Sequence, residues 1–299
     1  PFEPGSTLKV FTVAALLDNG LADLNDVIDI DNGRWTINGR TLNDTHVEDE
    51  HITLRTALSE SSNVGIAKAA LALPEGLQYQ NLRDFGFGTM TGIELPGEVA
   101  GSLYAPDRWS LQSPQSLAIG YEMSATPLQM AMAYGAIANG GVLMRPRLVR
   151  EIRDANGTLV ERFDSQEIRR VVKRRTAEQL GRALVDVVDS GTGGAAGVGG
   201  YQVAGKSGTA RFAINGRYER GAYSSSFVGY FPADDPQLVI FVKLDRPSGN
   251  SYYGGAVAAP VTRATMEAAL AANVLDLDKL ANAQQRPVVV IPSDSYTAY

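Results

Sequence analysis

The 299-residue chain contains no cysteine. That excludes disulfides, thiol nucleophiles and thiolate zinc sites. Histidine is scarce as well: the two present, His46 and His51, lie in the polar run Asn43-Asp44-Thr45-His46-Val47-Glu48-Asp49-Glu50-His51. That run reads as an exposed connection rather than a metal centre, and so few histidines disfavour a Ser-His-Asp enzyme. Basic charge is not in excess. Lys and Arg number 27 against 33 acidic residues, a net charge of −6, so nothing marks the chain for nucleic acid. The basic cluster Arg169-Arg170-Val171-Val172-Lys173-Arg174-Arg175 reads as a solvated segment before a helix. A membrane span is missing too. The uncharged run Ser124–Met144 is long enough for one, but Gln129, Asn139 and Gly140-Gly141 suit lipid poorly. Thr126-Pro127 there reads as an N-cap followed by a first-turn proline, so a buried helix from Pro127 to about Asn139 is expected. The chain opens on Pro1 with no signal peptide or anchor in view, and no internal repeat is apparent.

What is present begins with Pro4-Gly5-Ser6-Thr7-Leu8-Lys9, running into Val10–Leu17. This stretch predicts a helix that is apolar almost all round, hence buried, and stopped at Asp18-Asn19-Gly20. Short strands or loops follow over Asp29–Asn43, then short helices at Thr53–Leu58, up to Leu73, and at Asn81–Phe87. Val149–Arg153 and Leu159–Phe163 flank the hairpin signal Asp154-Ala155-Asn156-Gly157. Thr176-Ala177-Glu178-Gln179 has a capping-box pattern and starts a helix to about Val188. Beyond Tyr201 the period changes from helix to strand. Strands are expected at Tyr201–Phe212, Ser225–Phe231 and Leu238–Leu244, the last two joined through Pro232–Pro236. A closing helix follows at Val257–Ala271, and the polar tail holds a strand-like run, Val288–Ile291. Helices in the middle, then antiparallel strands and a last helix, make an α+β domain of two lobes.

Three segments carry chemistry. Ser6 and Lys9 are three apart on a helix and share a face, so hydroxyl and amine can meet. The free N–H groups of the helix start lie beneath Ser6. Alone the pair is weak, because Ser-x-x-Lys occurs by chance in many chains. Ser61 and Asn63 converge only if they sit in a turn, where a hydroxyl and a carboxamide can relay a proton and hold an amide; an ordinary helix cap uses the same residue types. On the strand, Ser207 and Thr209 share one face, and with the Lys206 ammonium they can bind a carboxylate. Gly208 lets the backbone approach a ligand, and the Thr209 N–H can complete an oxyanion hole with that of Ser6. Gly200–Ser207 also fits the phosphate-loop pattern, but such a loop must open a helix, and here a strand runs on through Phe212.

In this order, Ser6-x-x-Lys9, Ser61-x-Asn63 and Lys206-Ser207-Gly208-Thr209 match the motif set of penicillin-binding proteins and class A β-lactamases. The chain resembles the transpeptidase domain of a class B penicillin-binding protein of the cell-division type. The likeness extends through Phe85-Gly86-Phe87-Gly88, Thr91–Glu98, Thr126–Gln129, Ala138–Gly141, Gly191-Thr192-Gly193, Gly229–Pro232 and Tyr253-Gly254-Gly255. It covers Phe2 to about Ala271; Glu94 and Glu98 within it read as structural. One departure stands out. The family carries sheet strands before the serine helix, and five residues leave no room for them. They are expected, like any anchor or pedestal, outside this chain.

The resemblance implies a β-lactamase/transpeptidase-like α+β fold, an antiparallel sheet flanked by helices. The domain would cover 1–274, with a helical lobe at about 21–190, a sheet lobe at about 198–274 and a tail at 275–299. It implies a serine D,D-transpeptidase that cross-links peptidoglycan stem peptides ending in D-Ala-D-Ala and is acylated by β-lactams. Ser6 would be the nucleophile and Lys9 the base, its pKa lowered by desolvation and by the charge of Lys206. Ser61 would relay the proton and Asn63 hold the peptide. Lys206, Ser207 and Thr209 would bind the terminal carboxylate, and the Ser6 and Thr209 N–H groups would hold the oxyanion. Neither cofactor nor metal is implied. A membrane glycosyltransferase and other division proteins are expected partners through regions outside the chain, at the outer face of the bacterial cytoplasmic membrane. A β-lactamase, a D,D-carboxypeptidase or a β-lactam sensor would share the site; a non-enzymatic division scaffold is the alternative of another class. No Glu-x-x-x-Asn between Asn63 and Lys206 offers the deacylating base of a class A β-lactamase.

Overall fold

The computed structural model describes residues 1–214 and 217–275; the run Val288–Ile291 lies outside the described residues. At its centre a 3-10 turn, Gly5–Leu8, leads into helix α1 (Lys9–Asp18). Every residue from Lys9 to Leu16 is buried, because a helix apolar on all sides must be covered on all sides. It stops where the sequence places Gly20, whose φ is +66°. The Gly20 N–H donates to Leu17 O (3.2 Å) and the Leu21 N–H to Leu16 O (2.9 Å), satisfying two carbonyls that the helix end leaves free.

Helices α2 (Leu54–Ser59), α3 (Asn63–Ala69), α4 (Glu75–Asp84), α5 (Ser113–Ala118), α6 (Pro127–Ala138) and α7 (Arg174–Asp189) supply the cover. Phe11 of α1 meets the rings of Phe85, Phe87 and Tyr134 at centroid distances of 4.7, 5.1 and 5.4 Å, tilted or edge-on as ring quadrupoles favour. α6 begins with a full capping box: Thr126 Oγ1 accepts from Gln129 N, and Gln129 Oε1 from Thr126 N. Among the described residues no helix is long and apolar enough to cross a membrane.

Small two-stranded ribbons decorate this core: β1 (Val27–Asp29) with β4 (His51–Thr53), β2 (Arg34–Ile37) with β3 (Arg40–Asn43), β5 (Val142–Met144) with β8 (Glu167–Arg170), and β6 (Glu151–Arg153) with β7 (Leu159–Arg162). The main sheet is antiparallel, in the order β11-β10-β9, from β9 (Ala204–Ile214), β10 (Arg217–Phe231) and β11 (Leu238–Asp245). Its side chains alternate between two cores. Val228, Tyr230, Val239 and Phe241 join the core around α1, while Phe227, Ile240 and Val242 join a second cluster with Met266. That cluster is closed by α8 (Gly254–Val257) and α9 (Ala259–Ala271).

The α+β class holds, and of the boundaries that differ from those expected, three have a clear physical reason. α4 starts at Glu75, not Asn81: Pro74 sits at its cap and Gly76 in its first turn, where a missing N–H is no loss. β10 begins at Arg217 rather than Ser225, across a register shift between Tyr218 and Tyr223 that breaks the alternation. α7 starts at Arg174, and no residue of its own caps it. Asp18, at the end of α1, does so instead: its Oδ1 accepts from Lys173 N (2.7 Å) and from Thr176 Oγ1 (2.8 Å). A cap from a distant helix leaves no local signature. Asp18→Ala is expected to cost about 0.5–2 kcal/mol, as loss of a cap does. The midpoint of chemical denaturation measures it, and an unchanged midpoint would show that Asp18 does not hold α7.

Candidate active site

Ser6 sits half-buried in the 3-10 turn that precedes α1. Long-range bonds fix this turn. Gly5, at φ +56°, donates its N–H to Gly120 O (3.0 Å). Thr7 Oγ1 donates to Pro4 O (2.9 Å), and the buried Tyr134 hydroxyl donates to Thr7 O (2.8 Å). Lys9 follows, fully buried.

The second segment is a turn, as its spacing requires. Ser61 takes a left-handed conformation, φ +62°. Ser62 is the N-cap of α3, its Oγ accepting from Gly65 N (2.8 Å), and Asn63 is the first helical residue. The cap role thus falls on Ser62 and leaves the Ser61 hydroxyl free for Lys9. Lys9 Nζ donates to Ser61 O (2.5 Å) and reaches Ser61 Oγ (3.2 Å). The sequence paired Lys9 with Ser6; the hydrogen bonds of its amine go to Ser61.

The third segment lies on β9. Ser207 and Thr209 face a cleft of about 480 Å³ that Ser6, Ser61 and Asn63 also line. Alternation sends the other two residues inward. A Cβ on Gly208 would lie 2.6 Å from Ser226 Oγ, 2.8 Å from Thr7 Cγ2 and 3.1 Å from Pro4 O. The small residue at Gly208 thus allows the close approach of β9 to the serine turn. Lys206 is likewise fully buried, with Nζ donating to Ser207 O (3.1 Å). Its neighbours on the strand, Ser207 and Thr209, line the cleft, while Lys206 itself is covered.

Burial governs both amines. It pushes the Lys9 pKa from its usual 10.5 down to about 7, against the opposing charge of Asp44. Burial also drives Lys206 well below the lysine range, and repulsion from Lys9 adds to that. Desolvation is therefore the main cause at Lys9, and the mutual repulsion anticipated for the pair is felt at Lys206.

The cleft contains groups that the sequence reading did not assign. Thr192, from the glycine-rich loop after α7, shares a hydrogen bond with Ser207 Oγ (2.7 Å). Gly191-Thr192-Gly193 was the only signal for it. Thr209 Oγ1 accepts from the N–H of Gly254 at the start of α8 (3.0 Å). One wall is aromatic: Tyr223 stacks on Tyr252 at 3.9 Å, and Tyr252 on Tyr253 at 4.7 Å. Tyr121, Arg211 and Glu60 line the cleft as well. These groups come from separate elements, and no spacing in the chain links them.

A family model, the penicillin binding protein transpeptidase domain, matches residues 1–267. The chain belongs to this family. It is 32% identical over 292 residues to a probable peptidoglycan D,D-transpeptidase PenA of Neisseria flavescens, covering 97% of this chain and 69% of that protein. It is 35% identical over 289 residues to a probable peptidoglycan D,D-transpeptidase PbpC of Pseudomonas aeruginosa, covering 96% of this chain and 48% of that one. Among solved structures it is similar to penicillin-binding protein 3 of Mycobacterium tuberculosis in complex with aztreonam. There the TM-score is 0.82 at 36% identity, over 92% of this chain and 63% of the other. The chain thus spans between about half and two thirds of these proteins.

In this penicillin-binding transpeptidase domain, Gly208→Ala forces β9 away from the Ser6 turn. The expected cost is about 1–3 kcal/mol, the range for overpacking. Thermal denaturation against wild type measures it, and an unshifted transition would show that the strand–turn contact has slack.

Proposed function

We propose that the chain is the catalytic part of a D,D-transpeptidase that cross-links peptidoglycan stem peptides ending in D-Ala-D-Ala, and that β-lactams acylate it on Ser6. The observation that supports this most is one cleft lined by Ser6, Ser61, Asn63, Ser207 and Thr209 over two buried amines. The relatives named as D,D-transpeptidases and the aztreonam complex of a similar structure support the same reading.

Ser6 Oγ attacks the carbonyl of the penultimate D-Ala. A neutral amine is needed to take its proton, and Lys9, with a pKa of about 7, has a substantial neutral fraction at physiological pH. The Ser61 hydroxyl, within hydrogen-bond reach of Lys9 Nζ, passes a proton to the nitrogen of the leaving D-Ala as the C–N bond breaks. The acyl group remains on Ser6 until an amine of a second stem attacks the ester and Ser6 regains its proton. Asn63 holds the peptide amide, while Ser207 and Thr209 bind the terminal carboxylate. The N–H groups of Ser6 and Thr209 hold the oxyanion, each such donor being worth about 3–4 kcal/mol. Lys206, bonded to the Ser207 carbonyl, keeps this part of β9 in place and sets the field beside Lys9. The division-type assignment, a glycosyltransferase partner and a place at the outer face of the cytoplasmic membrane belong to the same proposal.

A fluorescent penicillin is expected to label the protein, and Ser6→Ala to abolish the label. In a chase read by intact mass, the penicilloyl ester should persist for many minutes. Label retained in the variant would sink the nucleophile assignment. Loss of the adduct within seconds would move the function to a hydrolase, with Glu60 as the carboxylate at hand in the cleft.

The pH dependence follows from Lys9. Its folded pKa lies below the unfolded value, so the neutral base forms as pH rises through about 7. The acylation rate constant should therefore climb below about pH 7 and level off above it. Stopped-flow labelling across pH 5–10 (an interval of about five units spanning the expected midpoint) measures this. A flat profile would show that Lys9 does not act as the base.

A further inference from the structure

The loop after β3 brings a carboxylate to the second motif. Asp44 Oδ1 accepts from Asn63 N (2.5 Å) and Val64 N (3.0 Å), and its Oδ2 accepts from Ser62 Oγ (2.6 Å). The adjacent Asn43 carbonyl accepts from Asn63 Nδ2 (2.8 Å). One short loop thus holds the backbone and side chain of Asn63 together with its two neighbours. Ser61, just before them, has a left-handed φ that a non-glycine residue keeps only when its surroundings impose it. α2 fixes the chain on one side of Ser61, and Asp44 fixes it on the other.

Asp44 also carries charge. Lys9 Nζ bonds to Ser61, and the next residue, Ser62, bonds to Asp44; the charges felt there are that of Asp44 at Lys9 and that of Lys9 at Lys206. Glu60 stands at the cleft wall. The buried faces of α2, α3, α4, α5 and α7 contribute no ionisable side chain. Asp44 is the carboxylate set against Lys9.

We propose that Asp44 is a positioning residue of the acyl-transfer site, one that holds the Ser61–Asn63 turn in register and supplies a negative charge beside Lys9. The inference rests on Lys9 as the base, as proposed above. The two functions can be separated by substitution. Asp44→Asn keeps the size and an oxygen that can accept from Asn63 N and Val64 N; its amide can donate to Ser62 Oγ in place of the bond that Ser62 donates in the wild type, so the clamp is largely kept while the charge is lost. Asp44→Ala removes both clamp and charge.

Removing the charge removes the one group that raises the Lys9 pKa, so Lys9 should release its proton at lower pH. The test uses the full-length protein with carbon-13 at the lysine Cε, and Lys9→Arg assigns the signal. In Asp44→Asn the Lys9 midpoint should fall by about 0.5 pH unit or more, with the rising limb of the penicillin acylation profile moving down alongside it. In Asp44→Ala the high-pH acylation plateau should fall about tenfold or more, as a displaced catalytic group implies, and Asp44→Asn should restore most of it. An unmoved Lys9 midpoint in Asp44→Asn overturns the charge role, and a wild-type plateau in Asp44→Ala overturns the clamp. Should Asp44→Ala not fold, the clamp is tested by the Asp44→Asn plateau, which must stay near wild type. The NMR titration is independent of acylation. A wild-type protein whose Lys9 titrates near pH 7 but takes no penicillin would overturn the proposed function alone.

Discussion

An ammonium removed from water costs several kcal/mol unless it finds partners or gives up its proton. This fold removes two, Lys9 and Lys206, both fully buried. Much of the architecture answers that constraint. The acceptors that the amines find are Ser61 O, Ser61 Oγ and Ser207 O, all from residues that line the cleft. The same bonds that satisfy the lysines therefore tie α1 to the turn before α3 and hold Lys206 against its own strand. What remains of the desolvation cost appears as lowered proton affinity, which is the property a neutral base needs. The bonds that tie the segments together and the lowered proton affinity are here two consequences of one act of burial.

Bringing the three segments that close requires backbone to pass against backbone. Small residues stand at the crossings. A Cβ on Gly120 would collide with Gly5 O, one on Gly208 with Thr7 and Ser226, and one on Gly254 with the carbonyls of Ser226 and Gly208. Each of these glycines joins a different element to the serine turn or to β9. The cleft is thus bounded by packed main chain, and its polar side chains are held by short local bonds such as Thr192 Oγ1 to Ser207 Oγ and Gly254 N to Thr209 Oγ1. Side chains anchored in this way lose little further freedom when a substrate arrives, which is the advantage of preorganisation.

Features governed by short-range spacing were legible in the chain. The apolar run Val10–Leu17 announced a buried helix, Gly20 its end, and Thr126-Pro127-Leu128-Gln129 a capped start; each is found in place. The alternation on β9 put Ser207 and Thr209 on one face, and both line the cleft. Asp154-Ala155-Asn156-Gly157 marked a hairpin that forms. These readings depend on the periods of 3.6 and 2 and on turn chemistry, which covalent geometry sets within a few residues.

By itself, then, the sequence determined the longer periodic elements, the α+β class, the three motifs and their order. Tertiary structure alone decided what those residues touch. Lys9 bonds to Ser61, fifty-two positions away, rather than to Ser6 three positions away. Gly208 faces Thr7 and Ser226, α7 is capped by Asp18 from another helix, and Asp44, outside all three motifs, holds the second of them. The reason is physical. A local conformation is chosen by neighbours along the chain, whereas the partner of a buried polar group is whichever group the packing of distant segments brings within about 3 Å.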